Sequence, residues 1–186
     1  MDVAKPGAGD EMTEDSDYQL IQAIGTGNTN AFEHLVERFQ KPVLNFIFRY
    51  LGDRFAAEDI TQEVFLRVYR SAGGFRPEGK VSSWIFRIAY NLSINEINRR
   101  ARLPCITGDD ELARFPAPDA TSHHEMNQAV MKSIGGLPEN QRAALILRVY
   151  EGLSYSEISK VLSVSVPSVE SLIFRARDKL RKLLED

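Results

Sequence analysis

The chain has one cysteine, Cys105, so no disulfide can close within it; a reducing, cytoplasmic setting is expected on that ground. It has no apolar run near the roughly 18 residues that a membrane span needs, so no span is expected. Residues 1–17 hold six acids, one lysine and no apolar core, which argues against a secretory signal. Catalytic signatures are also missing. Gly25-Thr26-Gly27 lacks the lysine and the strand-to-helix setting of a phosphate loop. His123-His124 with Cys105 matches no zinc spacing. Asp109-Asp110-Glu111 reads as a solvated charge run rather than an acid/base pair, and no nucleophile has an activating neighbour. No enzymatic activity, cofactor or metal is expected. What remains is an ordinary soluble composition, 43% apolar and 26% charged over 186 residues. It fits one domain or two small ones and excludes a collagen-like, disulfide-dense or wholly disordered chain.

Charge is spread unevenly. Residues 1–17 carry −5, residues 18–102 carry +4, residues 103–126 carry −4 and residues 127–186 carry +2, which together give the net −3. The overall pI of about 5.7 therefore conceals two basic blocks, and a nucleic-acid partner stays open. The same partition marks the organisation. Residues 1–17 are an acidic tail, expected to be disordered. Residues 103–126, with three prolines, a glycine and clustered acids, are an acidic linker. The two blocks on either side are helical in pattern, and no alternating run is long enough for a strand. The expected fold is all-α: two small helical domains, residues 18–102 and 127–186, joined by a flexible linker.

In the first block, Phe32, Val36, Phe39, Val43, Phe46 and Tyr50 fall on one helical face, with Pro42 a candidate kink. A second helix spans about Phe55 to Arg70, and Ile60, Val64, Phe65 and Val68 form its apolar side. A glycine-rich loop follows, and a third helix covers about Val81 to Arg100. In the second block, Pro138 opens a helix that Gly152 ends. Ser154 and Glu157 are spaced as a capping box, in which the serine takes an orphan N–H and the glutamate returns the bond. The short helix they open reaches Leu162. Ser163-Val164-Ser165 makes a turn, Ser165 can cap, and a last basic helix runs to about Leu184. A short helix, a tight turn and a longer basic helix form the helix-turn-helix pattern.

Three faces could carry function. On the third helix, Trp84, Arg87, Asn91, Asn95, Asn98 and Arg102 fall on a stripe about 80° wide. Asn and Arg bond base edges and phosphates, and Trp stacks on unpaired bases; the bland reading is a solvated face with a core tryptophan. On the last helix, Val169, Leu172, Ile173, Ala176, Leu180 and Leu183 form the buried side. Ser168, Glu170, Ser171, Phe174 and Arg175 face away near its N-terminal half, the part that enters a major groove. Arg177, Lys179, Arg181 and Lys182 follow and suit phosphates; here the bland reading is a basic helix end matched to its own dipole. On the second helix, Asp59, Gln62, Glu63, Leu66 and Arg67 make a mixed face wrong for DNA. It is either solvated or a protein-docking face.

These residues together resemble a known family. Asp59-Ile60-Thr61-Gln62-Glu63-Val64-Phe65-Leu66-Arg67, Phe75-Arg76 and Trp84-Ile85-Phe86-Arg87-Ile88-Ala89-Tyr90-Asn91 are similar to region two of bacterial sigma factors. Leu137-Pro138-Glu139, Gly152-Leu153-Ser154-Tyr155, Glu157-Ile158 and Phe174-Arg175-Ala176-Arg177 are similar to region four. Two such domains with a short linker resemble the extracytoplasmic-function (ECF) group. The resemblance implies a transcription initiation factor that binds core RNA polymerase and directs it to promoters. On that implication Asp59, Gln62, Glu63, Leu66 and Arg67 contact core polymerase. Phe75, Arg76, Lys80, Ser82, Ser83, Trp84, Arg87, Asn91, Asn95, Asn98 and Arg99 melt and read the minus-ten element. Ser165, Ser168, Glu170, Ser171, Phe174, Arg175, Arg177 and Lys179 read the minus-thirty-five element. Promoter DNA, core polymerase and an anti-sigma factor are the implied partners. The chain departs from the family's habit at Glu170 and Leu172, where basic residues are frequent, and at Ser159 and Ser163, where Ala and Gly are. The alternatives are a stand-alone helix-turn-helix regulator, which leaves the Asp59–Arg67 face and the Trp84 stripe without a role, and a helical adaptor, which leaves the basic blocks without one.

Overall fold

The computed structural model describes residues 9–76, 79–102 and 131–185. Its helices there are α1 (Gly9–Gly25), α2 (Thr29–Leu51), α3 (Arg54–Ser71), α4 (Val81–Arg102), α5 (Glu139–Val149), α6 (Tyr155–Leu162) and α7 (Val166–Glu185). A short 3-10 turn, Ala72–Gly74, follows α3, and residues 131–135 are helical ahead of α5. Among the described residues there is no strand, so the all-α expectation holds. The acidic linker, and Cys105, His123 and His124 with it, lies outside the described residues.

Local chemistry explains most of the boundaries. Asn28 caps α2 by accepting from the Ala31 N–H at 3.1 Å, and Asp53 caps α3 by accepting from the Ala56 N–H at 3.0 Å. Gly52, at φ 75°, ends α2 in the left-handed conformation and donates its N–H to Phe48 O at 2.8 Å. The capping box forms as read: Glu157 N–H donates to Ser154 Oγ at 3.3 Å, and Ser154 N–H donates to Glu157 Oε2 at 2.6 Å.

Two sequence expectations are corrected. The acidic tail through residue 17 was expected without structure, yet α1 begins at Gly9. Asp17 is buried and ion-paired with Arg38 of α2, while Ile21 and Ile24 enter the core. The packed second half of α1 nucleates a helix that the acidic half extends. Pro42 does not end α2, which continues through it to Leu51. The buried side of α2 is Ala31, Leu35, Phe39, Val43, Phe46, Ile47 and Tyr50. Phe32 and Val36 are only half-buried, because Phe32 turns toward α3 and meets the Tyr69 ring edge-on at 5.1 Å.

The first four helices form one bundle around Phe46 and Tyr50. Their rings stack at 5.9 Å, and Phe86 and Tyr90 of α4 meet them edge-on at 5.6 and 6.0 Å. Gly25, the last residue of α1, lies against the 3-10 turn so tightly that a Cβ there would sit 3.0 Å from Gly73 Cα. The second unit packs α5 and α6 against α7 through Ile146, Ile158, Val161, Val169 and Ile173. In the turn between α6 and α7, Ser163 has φ 56° and ψ 43°. A Cβ is strained there. Ser163→Gly is expected to stabilise the protein by about 0.5–1 kcal/mol, the relief of strain less glycine's extra freedom when unfolded. A thermal melt checks this, and a lowered midpoint would show that the serine hydroxyl holds the turn.

Candidate functional site

Three exposed surfaces follow from these elements. On α3 the core takes Ala57, Thr61, Val64, Phe65 and Val68. This turns Asp59, Gln62, Leu66 and Arg67 to solvent, with Glu63 half-buried. Arg67 Nε reaches Glu63 Oε1 at 2.7 Å, an exposed i, i+4 pair of little energetic weight. Phe55 and Tyr69 join this face, and the sequence reading passed over both. Positions 55, 59, 62, 66 and 69 follow spacings of 4, 3, 4 and 3, so one stripe carries all five. Phe55 is 81% exposed, Leu66 48% and Tyr69 42%. Three large apolar groups interleaved with an acid and an amide are the composition of a docking surface rather than of a solvated face.

The second surface belongs to α4 and the loop before it. Arg87, Asn91, Asn95, Asn98 and Arg102 are exposed along one side of α4, as the spacing requires. Trp84 is half-buried, with its ring 4.6 Å from that of Phe75, which in turn touches Tyr18 of α1 at 6.2 Å. The tryptophan is thus neither free nor in the core: one side is braced and the other faces a cleft. Phe75, Arg76, Lys80, Ser83, Trp84 and Arg87 all line that cleft. Ser82 points to the other side of α4 and lines a separate groove. Arg99 is engaged locally, bonding Glu96 at 2.8 Å, while Arg100 spans Glu96 and Asp53 at 2.7 and 2.8 Å. The hydrogen bonds from Arg99 and Arg100 hold the Glu96 carboxyl down at about 2 despite partial burial.

The third surface is α7. Val169, Ile173 and Ala176 are buried, and Leu172 and Leu180 are half-buried. Ser168, Glu170, Ser171, Arg175 and Arg177 are exposed, and Phe174 is 72% exposed. A phenylalanine that open on the outer side of a recognition-type helix has no packing role, and it suits a thymine methyl. Ser165 works mainly as a cap: its Oγ accepts the Ser168 N–H at 3.3 Å and lies 2.8 Å from Ser168 Oγ. Lys179 turns back and donates to Gly136 O at 2.8 Å.

The two units are in contact, which no local pattern foretold. Tyr90 Oη donates to Asn140 Oδ1 at 2.7 Å, Lys80 pairs with Glu157 at 3.4 Å, and Arg49 lies 3.7 Å from Glu151 with its guanidinium over the Tyr150 ring at 4.2 Å. Arg142 of α5 donates to Tyr50 O at 2.9 Å, to Leu137 O at 3.0 Å and to Gly135 O, and its guanidinium faces the Tyr50 ring at 5.6 Å. Its first carbonyl partner is the end of α2, and the other two close the turn into α5. Burial pushes the Tyr50 phenol above its ordinary value, so it stays neutral in this contact.

A helical bundle with a polar stripe beside a braced tryptophan, joined to a helix-turn-helix whose outer helix shows Glu, Phe and Arg, has the build of a two-part DNA-binding protein, and its α3 stripe leaves large apolar groups exposed. Comparison with known proteins makes this specific. Residues 35–103 match the Sigma-70 region 2 model, and residues 127–180 match the Sigma-70, region 4 model. The chain is 36% identical to the RNA polymerase sigma-H factor of Pseudomonas aeruginosa over 94% of its length and 96% of that protein. It is 33% identical to the ECF RNA polymerase sigma-E factor of Escherichia coli, covering 89% of this chain and 92% of that one. Among solved structures, CnrH in complex with the cytosolic domain of CnrY superposes with a TM-score of 0.70 at 28% identity, covering 91% of this chain and 97% of that one. The chain belongs to the ECF group of the sigma-70 family of RNA polymerase sigma factors. It is a transcription initiation factor that binds core RNA polymerase and directs it to promoters, and membership in this family excludes the stand-alone regulator. Among the described residues, no helix is long and apolar enough to cross a membrane.

Proposed function

We propose that the three surfaces divide the work of initiation, with no catalytic step by the chain itself. The α3 stripe docks on core polymerase. The α4 stripe with Phe75 and Trp84 receives the melted minus-ten strand, and the outer face of α7 enters the minus-thirty-five major groove. The observation that supports this division most is the α3 stripe, where Phe55, Leu66 and Tyr69 are presented to solvent among Asp59 and Gln62. The work takes place where polymerase works, in the cytoplasm. An anti-sigma factor that covers these surfaces would hold the chain inactive. CnrH, solved with the cytosolic domain of CnrY, sets the precedent for a protein partner on this fold. The test is run-off transcription: core polymerase is expected to give promoter-specific product only when this protein is added. Promoter-independent product at equal yield would refute the reading.

Gln62→Ala with Glu63→Ala is expected to weaken association with core polymerase while leaving the melting temperature within about a degree or two. Neither residue is in the core, and the lost Glu63–Arg67 pair is exposed and weak. Competition against another sigma factor for core polymerase measures the effect. Unchanged competition would remove the α3 stripe from the interface.

On α7, Glu170 and Phe174 are four residues apart and share the outer face with Ser171 and Arg175. Glu accepts from a cytosine amino group, Phe meets a thymine methyl and Arg pairs with guanine. Arg175→Ala is expected to weaken promoter binding by roughly 1–3 kcal/mol, concentrated at one guanine. Glu170→Arg is expected to strengthen binding on many promoters and relax preference at one base pair. Selection from a randomised minus-thirty-five library with each protein decides the matter. Identical preferences for wild type and Glu170→Arg would show that Glu170 reads nothing.

A further inference from the structure

The basic residues that follow Arg175 on α7 have different surroundings. Arg181 and Lys182 both bond Asp178, at 2.7 and 2.9 Å, so their charge is matched within the helix. Arg177 is exposed and has no hydrogen bond or ion pair among the described residues. Lys179 reaches out of the helix: its Nζ donates to Gly136 O at 2.8 Å, 43 positions back in the chain. Gly136 stands where the helix of residues 131–135 ends. Its N–H donates to Lys132 O at 3.2 Å, and the Leu137 N–H donates to Ile134 O at 3.1 Å, so the turn closes on itself. Three successive carbonyls then face cations. Arg142 donates to those of Gly135 and Leu137, and Lys179 to that of Gly136 between them. Helix ends favour such donors, because orphan carbonyls and the negative end of the dipole meet there. The turn is also a fixed point. Ile134 and Leu137 are buried, and Arg142 donates at 2.9 Å to Tyr50 O at the end of α2.

α7 itself is seated by a narrow apolar seam of Val169, Ile173 and Ala176. Hydrophobic contact is non-directional, so such a seam resists separation more than it resists a roll. The outer side chains stand across a helix roughly 10–12 Å wide, and a roll of about 10° moves their tips by about 2 Å. Hydrogen bonds to base edges tolerate only about 0.5 Å. Lys179 flanks the seam, three positions past Ala176, and its bond to the turn is directional. On the reading of α7 as the minus-thirty-five helix, we propose that Lys179 is a positioning residue and not a phosphate contact: it sets the roll of α7 that presents Glu170, Phe174 and Arg175 to the bases. Phosphate contact falls to Arg177, whose charge is not matched within the chain's described residues. The Lys179 bond is exposed and adds little to stability. Its effect is on where the helix points.

The test uses holoenzyme assembled from core polymerase and each variant, on two duplexes. One carries the minus-thirty-five sequence that the wild type selects from the randomised library, and the other carries that element scrambled. Both affinities are followed against salt. Loss of a phosphate contact weakens both duplexes alike and lowers the slope of log affinity against log salt by about 1. Loss of aim weakens the selected duplex and leaves the slope alone. Lys179→Met is expected to lower the selected-over-scrambled ratio about five- to tenfold, with the salt slope and the circular-dichroism melt unchanged. Lys179→Arg keeps a donor of similar reach and is expected to recover most of the ratio. Arg177→Gln is expected to do the opposite, with the slope lower by about 1 and the ratio within about twofold of wild type. A lowered slope with an intact ratio in Lys179→Met would overturn the positioning role and make the lysine a phosphate contact. A lowered melt with an intact ratio, or no change in any of the three quantities, would overturn it as well. Arg175→Ala and Arg177→Gln both without effect on either duplex would show that α7 is not the reader, and the role of Lys179 would fall with that reading.

Discussion

Arg142→Ala is expected to lower stability by about 3–4 kcal/mol and the melting midpoint by about 10 °C, at the 2–4 °C per kcal/mol typical of a chain this long. The guanidinium is hydrogen-bonded to three backbone carbonyls, those of Tyr50, Leu137 and Gly135. Each bond is charge-assisted, and each carbonyl loses its donor when the side chain goes. The Tyr50 ring also loses the cation facing it. Two of the carbonyls belong to the turn before α5 and the third ends α2, so one substitution loosens the second unit and frees it from the first. Arg142→Lys keeps the charge but lacks the fork, and is expected to recover less than half of the loss. Differential scanning calorimetry gives the stability, and a dye pair placed on α2 and α6 gives the separation. A midpoint unchanged in Arg142→Ala would show that these bonds contribute nothing net.

Contact between the units is expected to depend on pH through Glu151. Its side chain is 8% exposed, opposite Arg49 at 3.7 Å. Burial pushes the carboxyl up to about 7, and the nearby Arg49 charge only partly opposes that. In the separated or unfolded chain the group returns to its ordinary 4.5. The contact therefore holds a proton that the free group has already lost. Its contribution is fully present below 4.5, declines as pH rises through the interval up to about 7, and is gone above. A change of this size is worth roughly 3 kcal/mol. Glu157, in the same contact, acts the other way. Burial raises it, but hydrogen bonds from Ser154 and the Lys80 charge outweigh burial and hold it below the usual carboxylate value. Its contribution is lost only as pH falls below that value, so the two windows do not overlap. Dye separation followed across about pH 5 to 8 is expected to increase with pH in the wild type and to stay flat in Glu151→Gln. A wild-type trace as flat as that of the variant would remove Glu151 from the contact.

What could be read in advance was whatever rests on spacing. The Ser154–Glu157 box, the Val169–Ile173–Ala176 seam and the Asn91–Asn95–Asn98 stripe are periodic or local, and a helix repeats them faithfully. Phe55 and Tyr69 were equally legible, since they extend the stripe through Asp59, Gln62 and Leu66. They were passed over because exposed aromatics are ordinarily assigned to a core. The missed half of α1 is a matter of propagation, since its acidic residues follow a helix packed further along the chain. The partnerships of Arg142 with Tyr50, Lys179 with Gly136 and Lys80 with Glu157 were not legible. They join residues far apart in sequence, and nothing in the period of either segment marks the other. Glu151 belongs with them: beside Gly152 it reads as a loop acid, and only the contact with α2 buries it.

The meeting of Gly25 and Gly73 has a mechanical consequence. Two backbones that touch without side chains between them leave no slack, so the 3-10 turn must ride with the end of α1. The turn leads directly into Phe75, and Tyr18 of α1 supports the same ring from below. α1 thus works as a strut that sets the height of the Phe75–Trp84 shelf. A displacement of α1 is therefore expected to shift the Phe75–Trp84 shelf, the surface proposed to receive the minus-ten strand, without any contact there.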